Sequence, residues 1–185
     1  MKKLAITVAM MTLTTLILTG CNMSDGAEGG LKKETKDPQP LTLQVLKMDE
    51  EAGITLDNNN VYKEISEIVS ENPDLGIVND FSIQILDVVE NVEGTYDTLA
   101  FLAINRLDEP LKNINFEYTL GNDEDAYVFD AIEIDLTESE VGVIQAHGVV
   151  PFYLDVTEEQ IGLLSTLDQD NSVMKFDNFT FESVK

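Results

Sequence analysis

Residues 98–105, TLAFLAIN, form the apolar run that decides the fold of this chain. Every side chain from Leu99 to Ile104 is apolar, so both faces of an extended segment would be apolar. A strand of this kind is buried on both faces at the centre of a sheet. The polar residues 105–106 and the turn signal Asp-Glu-Pro at 108–110 end the run. The sequence therefore predicts a central strand that is covered on two sides.

Shorter segments before and after this run alternate apolar and polar residues, which is typical of strands with one buried face. In the stretch that begins at Phe81, we expect Phe81, Ile83 and Ile85 on one face of the strand. Leu86 and Val88 are expected on the opposite face. The other alternating segments begin at Leu41, Ile114, Tyr127, Gly148 and Val173.

Two of these strands shift their apolar phase by one residue. The shifts lie between Phe129 and Ile132 and between Phe176 and Phe179. Because side chains alternate with a period of two, the shift between Phe129 and Ile132 predicts a β-bulge or a bend. The segment Gly-Asn-Asp-Glu-Asp at 121–125 separates two alternating runs and predicts an acidic hairpin loop.

One segment ahead of the central run has the spacing of a helix. Val61, Ile65, Ile68 and Val69 follow an Asn-rich start, and the pair at 72–73, Asn-Pro, ends the pattern. These four apolar residues are expected to form the buried face of a short helix.

A second helix is marked by its first turn. Residues 157–160, Thr-Glu-Glu-Gln, match a capping box, and Ile161, Leu164 and Leu167 would face the core. Seven or eight short strands with one or two short connecting helices predict a mostly β fold. The specific prediction is an immunoglobulin-like antiparallel β-sandwich.

The first 21 residues, MKKLAITVAMMTLTTLILTGC, predict a location outside the cytoplasm. Two lysines precede an uncharged apolar segment that ends in Leu18-Thr19-Gly20-Cys21, which resembles the lipobox of a bacterial lipoprotein signal. On this interpretation, residues 1–20 are removed and the thiol of Cys21 becomes a diacylglyceryl thioether. The alternatives are an ordinary signal peptide with an unrelated cysteine and an N-terminal membrane anchor.

The chain then divides into three parts: a signal peptide at 1–20, a lipidated tether at 21–40 and one domain at 41–185. Residues 22–40 combine Gly, Ser, Pro and charge with almost nothing apolar, which is typical of a flexible linker. After residue 20 no apolar run approaches the ~20 residues that a membrane-spanning helix needs. Acyl chains such as palmitate on Cys21 would therefore be the membrane attachment, on the outer face of the cell membrane.

The chain is strongly acidic, with 35 Asp and Glu against 11 Lys and Arg. Removal of Lys2 and Lys3 leaves nine basic residues against the same 35 acids, a mature net charge of −26. Binding of nucleic acid depends on clustered basic residues, so nucleic acid is excluded as a partner. Three interpretations stay open: a surface that keeps the protein soluble, adaptation to salt, and an acidic face for basic proteins or divalent ions.

Motifs of catalysis are absent from the sequence. There is no G-x-S-x-G elbow, no H-E-x-x-H pair, no P-loop and no Rossmann fingerprint. His147 is the single histidine and lies beside Gly148, where a turn is expected. Cys21 is the single cysteine, and lipidation would remove its thiol from chemistry. We therefore expect no enzyme activity, no catalytic residue and no cofactor.

Two acidic loops are candidates for calcium. Residues 168–172 begin like an oxygen-rich calcium loop, but Val173 and Phe179 replace the glycine and the glutamate that an EF-hand requires. The hairpin loop at 121–125 is similarly rich in carboxylates. The candidate ligands of a weak calcium site are Asp123, Glu124, Asp125, Asp168 and Asp170.

The strand segments together resemble a known family. Residues 98–105, the Asp-Glu-Pro turn, residues 115–118 (Asn-Phe-Glu-Tyr), the acidic hairpin and the return at 148–154 are similar to the telokin-like, immunoglobulin-fold lipoproteins of Gram-positive bacteria. The resemblance covers roughly residues 81–184 and implies a fold and a cell-envelope location, but no catalytic residue. The chain has neither the inter-sheet disulfide nor the tryptophan of antibody-type domains.

Taken together, these patterns predict a membrane-anchored extracytoplasmic lipoprotein that binds an envelope protein with a basic surface. The alternative is a lipoprotein that binds calcium or a small ligand.

We predict that Cys21 carries the lipid. A fatty-acid probe should label the wild-type protein, whereas Cys21→Ala should stay unlabelled and accumulate as the unprocessed precursor. Equal labelling of both proteins would refute the lipobox interpretation.

Overall fold

The computed structural model describes residues 39–89 and 97–184. The signal segment, Cys21 and most of the tether lie outside these residues, so their assignments stay predictions. The elements are β1 (Thr42–Leu43), α1 (Lys47–Glu51), α2 (Asn60–Glu71), β2 (Phe81–Val89), β3 (Asp97–Asn105), β4 (Leu111–Asn122), β5 (Tyr127–Leu136), β6 (Gly148–Val156), α3 (Glu158–Leu164) and β7 (Ser172–Ser183).

The strands form two sheets, with the order β1-β6-β3-β2 in one and β5-β4-β7 in the other. This confirms the prediction of a mostly β fold. The prediction of a purely antiparallel arrangement is wrong at β1, which pairs in parallel with β6 through Thr42 and Leu43. The segment at 41–45 is a short edge strand because the chain turns into α1 soon after it. The immunoglobulin-like assignment stays a prediction.

The apolar run at 98–105 is the central strand β3, as predicted, with β2 and β6 on its two sides. Leu99, Phe101 and Ala103 contribute to the core between the two sheets. Leu102 and Ile104 contribute to a second core, which lies under α2. One strand therefore supplies side chains to both hydrophobic cores, which explains why it has no polar face.

Aromatic rings join the two sheets. Phe101 of β3 meets Tyr118 of β4 edge to face, with ring centroids 5.9 Å apart, and stacks on Phe152 of β6 at 4.9 Å. The ring centroids of Phe116 in β4 and Phe81 in β2 are 6.2 Å apart. Such pairs contribute beyond their buried area because each ring meets the next in a preferred geometry. The two sheets thus pack face to face through one aromatic core.

The predicted bulge in β5 is present, and the phase shift in β7 also corresponds to a bulge. Leu120 of β4 pairs with Phe129, and Tyr118 pairs with Ile132, so β5 carries an extra residue between these pairs. Ala131 takes up the irregularity with a φ of 48°. In β7, Asn178 adopts a φ of 53° at the point where the pairing with β4 shifts register.

A further bulge, in β2, corrects one sequence prediction. Ile85 pairs with Phe101 and Asp87 pairs with Ala100, so Leu86 is the extra residue. A bulge reverses the facing of the side chains that follow it. Val88 therefore packs on the core between the sheets, together with Phe81, and not on the face of Leu86.

The helix at 60–71 is present, but its buried face differs from the prediction. Tyr62, Ile65 and Val69 are buried, whereas Val61 is 49% exposed and Ile68 is 38% exposed. Tyr62 belongs to the buried face because its hydroxyl has two partners there. It accepts a hydrogen bond from the Leu46 amide at 3.0 Å and donates to the Asp49 carboxylate at 2.6 Å.

Of the other two described helices, α3 is confirmed and α1 was not predicted. The capping box of α3 is formed, since the Gln160 amide donates to Thr157 Oγ1 and the Thr157 amide donates to Gln160 Oε1. The short helix α1 raises the number of described helices to three, one more than expected. No helix in the described ranges is long and apolar enough to cross a membrane.

We predict that Phe116→Ala and Phe152→Ala each lower the free energy of unfolding by about 3–5 kcal/mol, through lost burial and a residual cavity. Urea denaturation measures the change. The matched control is Met174→Ala, at a side chain that is 57% exposed, which should change stability by less than about 0.5 kcal/mol. Losses below about 1 kcal/mol for either phenylalanine would contradict the core assignment.

Candidate functional site

Strand β4 runs from one end of the domain to the other. Its 12 residues at about 3.3 Å each span roughly 40 Å. At its start lie the end of β3 and residues 73–80, 105–110 and 144–147, which we call the Arg106 end. At its finish lie the loops 122–126 and 168–172, which we call the acidic end.

The hairpin loop of the acidic end is held by Asn122. Its side-chain oxygen accepts hydrogen bonds from the amides of Glu124 at 3.0 Å and Ala126 at 2.9 Å. Asp125 adopts a φ of 63°, and its carboxylate accepts a hydrogen bond from the Tyr127 hydroxyl at 3.0 Å, which raises the pKa of Tyr127. The loop is thus a tight turn with exposed carboxylates, as the sequence predicts.

The second loop of the acidic end is a turn that Asp168 and Asn171 hold together. Asp168 Oδ1 accepts hydrogen bonds from the amides of Asp170 at 2.9 Å and Asn171 at 3.0 Å. Asn171 Oδ1 accepts one from the Asp168 amide at 2.8 Å. These side-chain oxygens satisfy backbone donors, which is the ordinary use of Asp and Asn in turns.

The fold brings the two acidic loops together, which the sequence did not indicate. Gly121 and Asn122 pair with Val173 and Ser172, and the Asp123 amide donates to the Asn171 carbonyl at 3.0 Å. The acidic end therefore carries five exposed carboxylates on two adjacent loops. They are Asp123, Glu124, Asp125, Asp168 and Asp170.

These carboxylates are not arranged as a metal centre. Within the described part of the chain, no group of three or more His, Cys, Asp or Glu side chains is placed to hold a metal ion. Asp168 already accepts two backbone hydrogen bonds, so a cation there would compete with the turn itself. Calcium binding stays a prediction.

The basic side chains that the structure places in ion pairs lie away from the acidic end. Lys112 donates to Glu138 at 2.8 Å and lies 3.9 Å from Glu182. Its hydrogen bond holds the pKa of the Glu138 carboxyl below its usual value. In the described residues, no ion pair includes any of the five carboxylates of the acidic end.

At the opposite end, Arg106 is buried and only 3% exposed. Its guanidinium donates to three backbone carbonyls: Leu75 at 2.7 Å, Gln39 at 2.9 Å, and Pro73. Burial lowers the pKa of this guanidinium, and the nearby Asp74 carboxylate opposes the shift. Arg106 is the single arginine of the chain. It joins the first described residues to the segment between α2 and β2.

Its neighbour Asn105 is fully buried and has a similar role. The side-chain amide donates to the carbonyls of Glu109 at 2.9 Å, Ile144 at 3.2 Å and Gln145 at 2.9 Å. Its oxygen accepts from the Leu107 amide at 3.0 Å. The sequence presented Asn105 and Arg106 as the end of a strand. Their burial, which the sequence did not reveal, makes them the connection between several loops.

His147 has the local environment expected of a turn residue. It adopts a φ of 57°, and its Nε2 lies 3.2 Å from Oδ1 of Asp108, whose side chain is exposed. Its other ring nitrogen, Nδ1, is buried without a hydrogen-bond partner. The expectation that the protein has no catalytic activity stays a prediction.

Comparison with known proteins gives one similar structure. The trimeric lipoprotein SadB of Salmonella enterica is 15% identical in sequence, over 75% of this chain and 84% of that chain, with a TM-score of 0.34. No protein-family model and no curated protein sequence matches. The similarity to SadB is too low to assign a shared fold or function. The telokin-like family and a Gram-positive origin stay predictions.

We predict that Arg106→Ala lowers the free energy of unfolding by about 3 kcal/mol, because three carbonyls lose a charged donor in a buried place. Urea denaturation measures the loss. The control is Lys63→Ala, at an exposed position of α2, which should change stability by less than about 0.5 kcal/mol. An equally small effect for Arg106→Ala would contradict the connecting role of this residue.

Proposed function

We propose that this protein is a lipid-anchored extracytoplasmic binding module that captures a basic protein of the cell envelope, without catalysis. The observation that carries the proposal is the acidic end. Five exposed carboxylates lie on two adjacent loops, and no ion pair among the described residues neutralises them.

Electrostatic attraction is the mechanism of this proposal. A cluster of like charges creates a potential that extends about one Debye length, ~8 Å at physiological salt. That potential accelerates association with a surface of opposite charge and disfavours acidic partners. Two cations of the described residues offset this potential little, because Lys112 is paired with glutamates and Arg106 is buried. Lys175 is the exposed cation that β7 places near the acidic end, against five carboxylates.

The position of the acidic end suits capture of a partner. The described chain begins at Gln39, which Arg106 holds at the opposite end of β4. An anchor at Cys21 would therefore attach to the Arg106 end. The acidic end lies roughly 40 Å away along β4, where a partner can approach without meeting the bilayer.

We predict that reversing the three charges of the hairpin loop (Asp123→Lys, Glu124→Lys and Asp125→Lys together) reduces recovery of the partner by at least about tenfold in a crosslinking pull-down from intact cells. Recovery by the wild type should fall steeply as salt rises. The matched control reverses three exposed glutamates of α2, Glu64, Glu67 and Glu71, and should retain most of the binding. Binding that ignores salt, or equal losses in both variants, would refute the acidic end as the docking surface.

The second candidate, calcium binding, is favoured by the adjacency of the two acidic loops. A specific site would stabilise the folded state in millimolar calcium more than in magnesium or sodium at matched ionic strength, since only coordination adds binding energy. We expect Asp168→Asn to remove this difference in melting temperature. Identical melting temperatures in the three salts would exclude the ion site and leave the protein-binding proposal unaffected.

A further inference from the structure

The loop between α2 and β2 exposes two neighbouring apolar side chains. Ile77 and Val78 are each 59% exposed, the highest values among the large apolar side chains of the described residues. Single exposed apolar residues are normal on protein surfaces, but here two adjacent ones share a loop tip that the described residues leave uncovered.

The loop is a defined turn. The Asp80 amide donates to the Ile77 carbonyl at 3.2 Å, and the Ile77 amide donates to Ser82 Oγ at 3.2 Å. Gly76 has a φ of 79°, and a side chain there would collide with Ile104 and Ser82. The turn therefore holds the two apolar side chains in a fixed outward position. Because the loop is already ordered, it would lose little conformational entropy when it binds a surface.

The tip lies at the end of the domain where the N-terminal chain enters the fold. Arg106 donates to the carbonyls of both Leu75 and Gln39, and Leu75 precedes Ile77 by two residues. The point from which the chain continues towards Cys21 is thus held beside the base of this loop.

The length of that chain limits the distance to the lipid. About 18 residues separate Cys21 from Gln39, so the fully extended distance is at most about 60 Å and a random coil would span roughly 25 Å. A lipid on Cys21 would keep the loop close to the bilayer. Contact between the loop and the membrane would then be intramolecular, which favours it through a high effective concentration.

We infer that Ile77 and Val78 insert into the interfacial region of the membrane that carries the Cys21 lipid, and so dock the Arg106 end on the bilayer. The inference rests on the lipid anchor of the proposed function. Apolar side chains gain free energy on leaving water for this region. Asp74 and Asp80 flank the tip, so the contact is apolar and shallow and does not depend on anionic headgroups. Docking directs the acidic end away from the membrane.

The composition of the chain allows a direct test. The mature chain, residues 21–185, has one cysteine and no tryptophan. Cys21 can therefore be coupled to a maleimide lipid in phosphatidylcholine vesicles, and Val78→Trp supplies a single fluorescent reporter. Vesicles that contain brominated lipid quench an indole that enters the interfacial region.

The matched control is Met174→Trp, because Met174 is 57% exposed and lies at the acidic end. We expect a blue shift and at least about twofold stronger quenching for Val78→Trp than for Met174→Trp. Adding Ile77→Asp to the Val78→Trp variant should abolish the quenching, with the melting temperature showing that the fold is intact.

Two results would overturn the inference. Absence of quenching at Val78→Trp would show that the tip stays in water and is free for another partner. Equal quenching at both positions would show general adsorption of the domain. Because the lipid is coupled chemically, this test does not depend on lipidation of Cys21 by the cell, which fatty-acid labelling examines. It also does not depend on binding of a protein partner, which the charge reversal examines.

Discussion

The burial of β3 on both faces is the constraint on which the rest of the structure depends. Its side chains alternate between the core shared by the two sheets and the core under α2. Phe101 contacts Tyr118, Phe129 and Phe152, so one residue joins three other strands. Because interiors are close-packed, a change in this strand disturbs both cores together. The neighbouring strands β2 and β6 owe their positions to it.

The end of this strand places two polar residues in the interior. Asn105 and Arg106 are tolerated there because every donor that the structure describes for them has a backbone carbonyl as partner. A buried polar group with satisfied hydrogen bonds restricts its surroundings to one arrangement. The two residues thereby hold the loops of one end and the point where the N-terminal chain enters. This also withdraws the single arginine from the surface, which leaves the exterior more acidic.

The two ends of the domain differ in chemistry, and the proposals follow from that difference. One end has a buried cation, the start of the described chain and an apolar loop tip. The other has five exposed carboxylates on adjoining loops. A lipid anchor would act on the first end and a basic partner on the second, so both can act at once without competing for the same surface.

The sequence by itself determined the elements whose signals are local. Periodicity identified β3 and the alternating strands, and the apolar phase shifts marked the positions where β5 and β7 are irregular. Thr157 with Gln160 identified the start of α3. These features depend on residues close together in the chain, where spacing alone records which side chains share a face.

Only the tertiary structure decided features that depend on residues distant in the chain. The bulge at Leu86 is invisible in the pattern because apolar residues stand on both faces there, and the pairing with Phe101 and Ala100 reveals it. The adjacency of the two acidic loops follows from the register between β4 and β7. The hydrogen bonds of Arg106 join carbonyls more than 30 residues away. No local pattern encodes such contacts, because packing and register across the sheets create them.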